Sequence, residues 1–395
     1  DVSGAGYTID LPGNNIERVR RRNAAVNAAA GLIHFTAAEG MSIYATLNGR
    51  GAGGDGIQGQ LAFTLDRSFR ADSTLASTFP FLPLEMDVSE TLPVWNAALQ
   101  PGVAVPSALR GKALVSAETV RAGGFGSLTL DVANKLSTNG QQSIPGKIAF
   151  TSDIALALSD ALALKTTNID VANHTVNLSA ATVSLGRDAP NQGLLQTKSE
   201  VVAGTGNLTL QGQFIDIAGN VGISGAANTE LASASDIRFR SVIRERGLAP
   251  AEFGAAGNLT LRAAQIYPTT LSDYTVRTVG ANSVLRTAPP TQAASRAAVL
   301  SAAGKLTLHA STIDHGGTLV APLGTIEFDA DDSIHLLRGS LIDVSANSLI
   351  PFGRLLGSDL YWTYPILNGQ PLIIDKVPEK SVALNAPRIT MDAGA

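Results

Sequence analysis

Short runs of alternating apolar and polar residues recur along this chain, each introduced by a glycine. They read Gly126-Ser-Leu-Thr-Leu130, Gly146-Lys-Ile-Ala-Phe150, Gly206-Asn-Leu-Thr-Leu210, Gly257-Asn-Leu-Thr-Leu261, Gly304-Lys-Leu-Thr-Leu308 and Gly324-Thr-Ile-Glu-Phe328. Period-two alternation gives each run one apolar face and one polar or small face. A run this short buries no core alone. Stacked copies do, because each covers the face of the next. The pattern predicts a solenoid.

The spacing selects the kind of solenoid. In the last third Leu306 recurs as Ile326, Ile313 as Ile334 and Leu319 as Leu341. Three anchors advance together by about 20 residues. One turn thus holds three short strands, Leu306–Leu308, Ile313 and Leu319–Val320. The next holds Ile326–Phe328, Ile334–Leu336 and Leu341–Val344. Three strands per turn is the pattern of a parallel β-helix, an all-β fold. Leu128 to Ile148 repeats the step. Leu208 to Leu259 and Leu259 to Leu306 fit two coils each plus a surface excursion. Helical solenoids need a period of 3.6, and leucine-rich repeats need an Asn or Cys at a fixed place after the leucines. Neither is found.

Interruptions of the pattern set the organisation. Residues 1–65 read as coils with a short helix over 15–30, where Asn14, an alanine-rich run and Gly31 supply start and stop signals. Residues 66–110 lose the repeat among Pro80, Pro83, Pro93, Pro101 and Pro106, and read as an extra-helical excursion. Residues 111–395 return to coils, with excursions at 241–256, 266–300 and 346–380.

Composition agrees with that picture. The 395 residues include 39 Gly and only 5% aromatics, which suits tight turns and small stacked side chains. Charged residues are 16% and the net charge of −4 is spread along the chain. That is no footprint for nucleic acid and no basic face for anionic lipid. The absence of cysteine excludes a disulfide framework and a cysteine zinc site. No apolar run is long enough for a membrane-spanning helix. The chain opens on Asp1 without a signal-like segment, so it reads as part of a longer precursor.

The stretches Gly304-Lys-Leu-Thr-Leu-His-Ala-Ser-Thr-Ile-Asp314, Gly316-Gly-Thr-Leu-Val-Ala-Pro-Leu-Gly-Thr-Ile-Glu-Phe328 and Gly339-Ser-Leu-Ile-Asp-Val-Ser-Ala346 resemble the filamentous haemagglutinin family of bacterial exoproteins. Arg244-Glu-Arg-Gly247 before Gly257, and Ile350-Pro-Phe-Gly353 before Tyr361-Trp-Thr-Tyr364, look like that family's less repetitive regions. The resemblance covers residues 110–395 best. It implies a right-handed parallel β-helix, two-partner secretion through an outer-membrane partner acting on the full-length protein, and a place outside the bacterial cell. The family's secretion domain is not visible here.

Parallel β-helices also carry polysaccharide lyases and hydrolases, which need clustered carboxylates with a basic partner or Ca²⁺. Glu327, Asp329, Asp331 and Asp332, with Arg338 beyond, are the nearest to such a set. A solvated turn after a strand is the simpler reading. Asp236, Arg238, Arg240, Arg244 and Arg246 form the densest basic stretch. It would grip an anionic glycan or, more simply, pair with Asp236 and Glu245. The histidines, His34, His174, His309, His315 and His335, show no ligand spacing. Gly-x-Ser-x-Gly is absent, and no motif calls for a cofactor. Asn207-Leu-Thr209 and Asn258-Leu-Thr260 match the glycosylation sequon but sit at strand starts. Trp95, Tyr361, Trp362 and Tyr364 stand out in an aromatic-poor chain and suit a glycan or protein partner.

The expected function is therefore a stiff rod within a surface exoprotein, an adhesin whose excursions bind a host or bacterial surface glycan or protein. Trp95, Arg244, Arg246, Tyr361, Trp362 and Tyr364 are the candidate contacts, and no catalytic residue is expected. The alternatives are the stalk of a contact-dependent toxin-delivery protein and a glycan-cleaving enzyme.

Overall fold

The computed structural model describes residues 30–51, 57–66, 83–93, 106, 109–133, 135–136, 143–144, 146–187, 201–244, 247–292, 296–346, 350, 352–356, 361–364, 372–374 and 379–395. The alternating runs form strands that pair in parallel with runs one coil away, and together they build a parallel β-helix.

Its first face is a ten-stranded sheet, here sheet 1. In spatial order it runs Leu32–Ala37, Gln60–Leu65, Ser127–Val132, Ala161–Lys165, Thr182–Gly186, Phe214–Ala218, Asp236–Arg240, Gln265–Pro268, Thr318–Val320 and Leu341–Asp343. An 18-stranded ladder supplies the other two faces. Sheet 2 includes Lys147–Phe150, Asn168–Asp170, Val221–Ser224, Ala251–Ala256 and Asp273–Val279. Sheet 3 includes Ile154–Ala157, Thr175–Ser179, Gly206–Gly212, Ala226–Ser233, Asn258–Arg262 and Val284–Ala288. The long strands Lys305–His315 and Thr325–Leu336 belong to both, each turning the corner where the register shifts between Ala310 and Thr312.

The core is a set of columns of like side chains. Leu306 lies over Ile326, Leu308 over Phe328 and Ile313 over Ile334, all of them buried. Each such side chain contributes about 1.5–3 kcal/mol by leaving water. The corners demand small residues. Gly257 has φ +65°, and a Cβ there would collide with the carbonyl oxygen of Ala227.

The recurring phrase marks a strand after a corner and not one particular face. Its copies at 126–130, 146–150 and 206–210 stand in sheets 1, 2 and 3 respectively. Leu128 therefore pairs with Leu162, and Ile148 belongs to another face. Likewise Leu259 is followed by Leu285 and Ile313, while Leu306 follows Tyr274. Leu208 and Leu259 are two coils apart, with Thr229 between them. Leu319 pairs with Ile342, one residue past the expected Leu341, which faces outward and is 41% exposed.

The excursions are shorter than the sequence suggested. Within 66–110, Glu85–Ser89 is a strand of sheet 2. Within 241–256, Val242–Arg244 and Gly247–Ala249 pair as an antiparallel hairpin apart from the stack, and Ala251–Ala256 rejoins sheet 2. Within 266–300, Gln265–Pro268, Asp273–Val279 and Val284–Ala288 form one complete coil. Its prolines were misleading because Pro268 ends a strand and Pro289 follows one, so they punctuate corners. At 346–380, Arg354–Leu356, Tyr361–Tyr364 and Leu372–Ile373 make a separate antiparallel sheet. The helix expected over 15–30 lies outside the described residues but for Ala30.

A helix occurs elsewhere, at Ala117–Gly123, where coils alone were expected. Ser116 caps it by accepting the N–H of Thr119 at 3.1 Å, and Gly124 closes it at φ 66°. It packs beside Ile154–Ala157, the first strand of sheet 3, and Arg121 donates to the Ala155 carbonyl at 2.8 Å. The helix thus covers a strand edge that would otherwise invite pairing. The strand just before it, Lys112–Ser116, lies between Met41–Ser42 and Glu85–Ser89 although it follows both in sequence.

Candidate functional site

The carboxylates around Phe328 do not converge. Glu327 takes the ammonium of Lys305 at 3.0 Å, Asp329 faces His309 at 3.2 Å, and Asp332 pairs with Arg388 at 2.6 Å. Each partner sits one coil away, because parallel register places outward side chains in rows. Asp331 is exposed. Arg338 lies at the next turn, where its backbone N–H meets Asp392. Among the described residues no group of three His, Asp or Glu side chains is arranged to hold a metal.

Two arginines of the basic stretch are also spent on the scaffold. Arg238 and Arg240 grip Asp216 of the preceding coil at 2.7 and 2.9 Å, and Arg238 lies over the Phe214 ring. Asp216, not the expected Asp236, neutralises them. Asp236 instead accepts from Gln265 and Tyr267, both at 3.2 Å. Burial and that carboxylate push the Tyr267 phenol up to about 12.

Sequence reasoning passed over one acid pair. Glu85 and Asp87 point outward from one strand of sheet 2, with Lys112 at 2.9 Å from Asp87 and Lys147 at 3.3 Å from Glu85. Burial and the neighbouring Glu85 raise the Asp87 carboxyl above its usual range. Burial would raise Glu85 too, but Asp87 and the two lysines together hold it below its usual range. One oxygen of Asp87 is sealed from solvent without a hydrogen-bond partner. The arrangement resembles an acid–base pair in charge but not in access.

No protein-family model matches the chain, and neither a curated protein nor a solved structure matches it. Its function therefore has to be read from its own surface.

Of the candidate contacts named in the sequence, Tyr364 is described in full. It is half-buried against Phe352, with ring centroids 6.3 Å apart. Tyr361 and Trp362 share its antiparallel strand, and Arg244 lies on the hairpin opposite Gly247. The side chains of those three, and Trp95 and Arg246 altogether, fall outside the described residues.

A concavity lies elsewhere, on the outer face of sheet 3. It is a groove of about 710 Å³ crossing several coils, walled on one side by Pro290–Gln292. Its middle row is Ser179, Gln211, Ala232 and Arg262, aligned by register. Arg262 clasps the wall to the floor, bonding Glu230 at 3.1 Å and the Pro289 carbonyl at 3.1 Å. The sequence held a faint signal of it, a cluster of small residues at 179–181 and 232–234. No helix in the described residues is long and apolar enough to cross a membrane.

Proposed function

We propose that this chain is a structural and adhesive segment of a large secreted bacterial surface exoprotein, a stiff β-helical rod that presents side loops for attachment. The observation that carries the reading is the stack itself, with columns of apolar side chains inside and charges paired from coil to coil outside. Such a body resists bending because every coil is hydrogen-bonded to the next along its length. The hairpin at Val242–Ala249 and the antiparallel sheet at 354–373 stand off the stack and offer surfaces for a glycan or protein partner. Secretion through an outer-membrane partner comes to the reading from the sequence resemblance alone.

The test joins shape to binding. Small-angle scattering of the purified chain is expected to give a rod-like profile, and immobilised chain is expected to retain bacteria or host cells. Turnover of pectin or alginate, lost on Asp329→Ala or Asp331→Ala, would overturn the proposal in favour of an enzyme. A compact scattering profile would overturn the rod.

A further inference from the structure

The groove on sheet 3 has a lining that narrows its occupant. Its charges are one cation and one anion, Arg262 and Glu230, already joined to each other. An anionic or cationic ligand finds no uncompensated partner there. Its apolar lining is the methyl groups of Ala180, Ala181, Ala232 and Ala234 with the Pro290 ring and the buried Leu158, and no aromatic ring is among the lining residues. That is too little apolar surface to hold an acyl chain or a hydrophobic peptide anchor.

The backbone gives no opening for an added strand either. The Ala180 N–H is bonded to the Gln211 carbonyl at 3.0 Å, the Gln213 N–H to Ala181 at 2.9 Å, and the Ala234 N–H to Gly212 at 2.8 Å. Coil-to-coil pairing has used the groups that strand addition requires.

What remains for recognition is neutral polar chemistry. Gln211, Gln213 and Gln292 are exposed around the groove, with Thr209 and Ser179 half-buried beside them. Planar amides and hydroxyls both donate and accept, which matches vicinal diols. The small floor lets an extended chain lie close, and the Pro290 ring offers a face for its C–H groups. The groove crosses coils spaced about 4.8 Å apart, so one set of contacts repeats along a linear ligand. The volume falls in the range typical of ligand sites.

We infer that the sheet 3 groove between Gln211, Gln213, Arg262 and Pro290 binds a neutral, linear oligosaccharide. The Arg262 clasp fixes the groove's width through Glu230 and Pro289. The floor of the site belongs to the scaffold, so it stands apart from the rod proposal. Loss of binding would leave the scattering result untouched, and the reverse also holds.

The test is titration of the whole chain with neutral cello-, malto-, manno- and galacto-oligosaccharides, with oligogalacturonate as the anionic control. Binding is followed by calorimetry and by amide shifts. At least one neutral series is expected to bind and to shift amides of residues 209–213 and 232–234. Gln211→Ala combined with Gln213→Ala is expected to weaken it about tenfold or more. Ala232→Trp, which fills the groove from an outward position, is expected to abolish it with circular dichroism unchanged. If Ala232→Trp misfolds, the glutamine variant and the amide map decide. Absence of binding across the neutral series, binding of oligogalacturonate alone, or full affinity in the folded glutamine variant would each overturn the inference.

Discussion

Asn228 donates its side-chain amide to Asn207 Oδ1 at 3.0 Å and accepts the amide of Asn258 at 3.1 Å. The ladder continues as the backbone N–H of Val284 reaches Asn258 Oδ1 at 3.0 Å. Register dictates it, since the three asparagines are direct partners in successive coils. Removing the middle rung by Asn228→Ala is expected to lower stability by about 1 kcal/mol. Asn228→Asp keeps the acceptor and loses the donor, so it should fall between. Urea unfolding checks both. The same geometry commits the asparagines of both glycosylation sequons to the stack.

Thr229 occupies a position built for an aliphatic side chain. It stands between Leu208 and Leu259 in an inward column, is 2% exposed, and its hydroxyl finds no hydrogen-bond partner. Thr229→Val replaces the hydroxyl with a methyl group of similar size. It should raise stability by about 1 kcal/mol or more, seen as a higher urea midpoint at unchanged slope. A lower midpoint would mean that the hydroxyl is bonded in solution.

His315 makes the fold sensitive to acid. It is fully buried, stands edge-on to Phe328 and meets the Thr287 hydroxyl at 2.6 Å through Nδ1. That hydroxyl also accepts the Gly317 N–H at 3.3 Å. Burial lowers the imidazole from 6.5 to about 4, opposed by the Leu341 backbone. The unfolded chain therefore binds the proton more readily than the folded one. The stabilising effect is complete above about pH 6.5 and is lost progressively as pH falls toward 4. The loss is on the order of 3 kcal/mol. Denaturation across that window should flatten in His315→Leu.

Gly257 is fixed by two independent constraints, its φ of +65° and the Ala227 carbonyl against its missing Cβ. Gly257→Val must move the backbone at this corner. A cost of more than about 2 kcal/mol is expected, with hydrogen-exchange protection lost first in Asn258–Arg262. Equal loss along the whole stack would show instead that the coils unfold as one unit.

The stacked fold was legible because alternation and turn glycines are local signals. Which face each run occupies was not. Leu128, Leu208 and Leu306 stand in near-identical phrases yet in three different sheets, since any corner of the helix asks for the same small residue and any face for the same alternation. Prolines misled for a related reason, as Pro268 and Pro289 mark corners as readily as excursions. The helix at Ala117–Gly123 had its signals in Ser116, Glu118 and Gly124, but it is too short for a convincing 3.6 period. The charged side chains looked like clusters in sequence because their true partners, such as Asp216 for Arg238 and Arg388 for Asp332, lie a coil or more away. The groove was hidden for the same reason, being assembled from several coils that lie far apart in sequence.

The strand Lys112–Ser116, placed between two strands that precede it, separates order in space from order in time. A chain folding from its amino end can lay down most coils as each follows the last. At this end Met41–Ser42 and Glu85–Ser89 must keep a gap between them until a later stretch arrives to fill it. Loop closure of that kind is slow compared with adding the next neighbour. The first coils are thus completed only when Lys112–Ser116 is in place, and Ala117–Gly123, which packs beside the first strand of sheet 3, follows that strand directly.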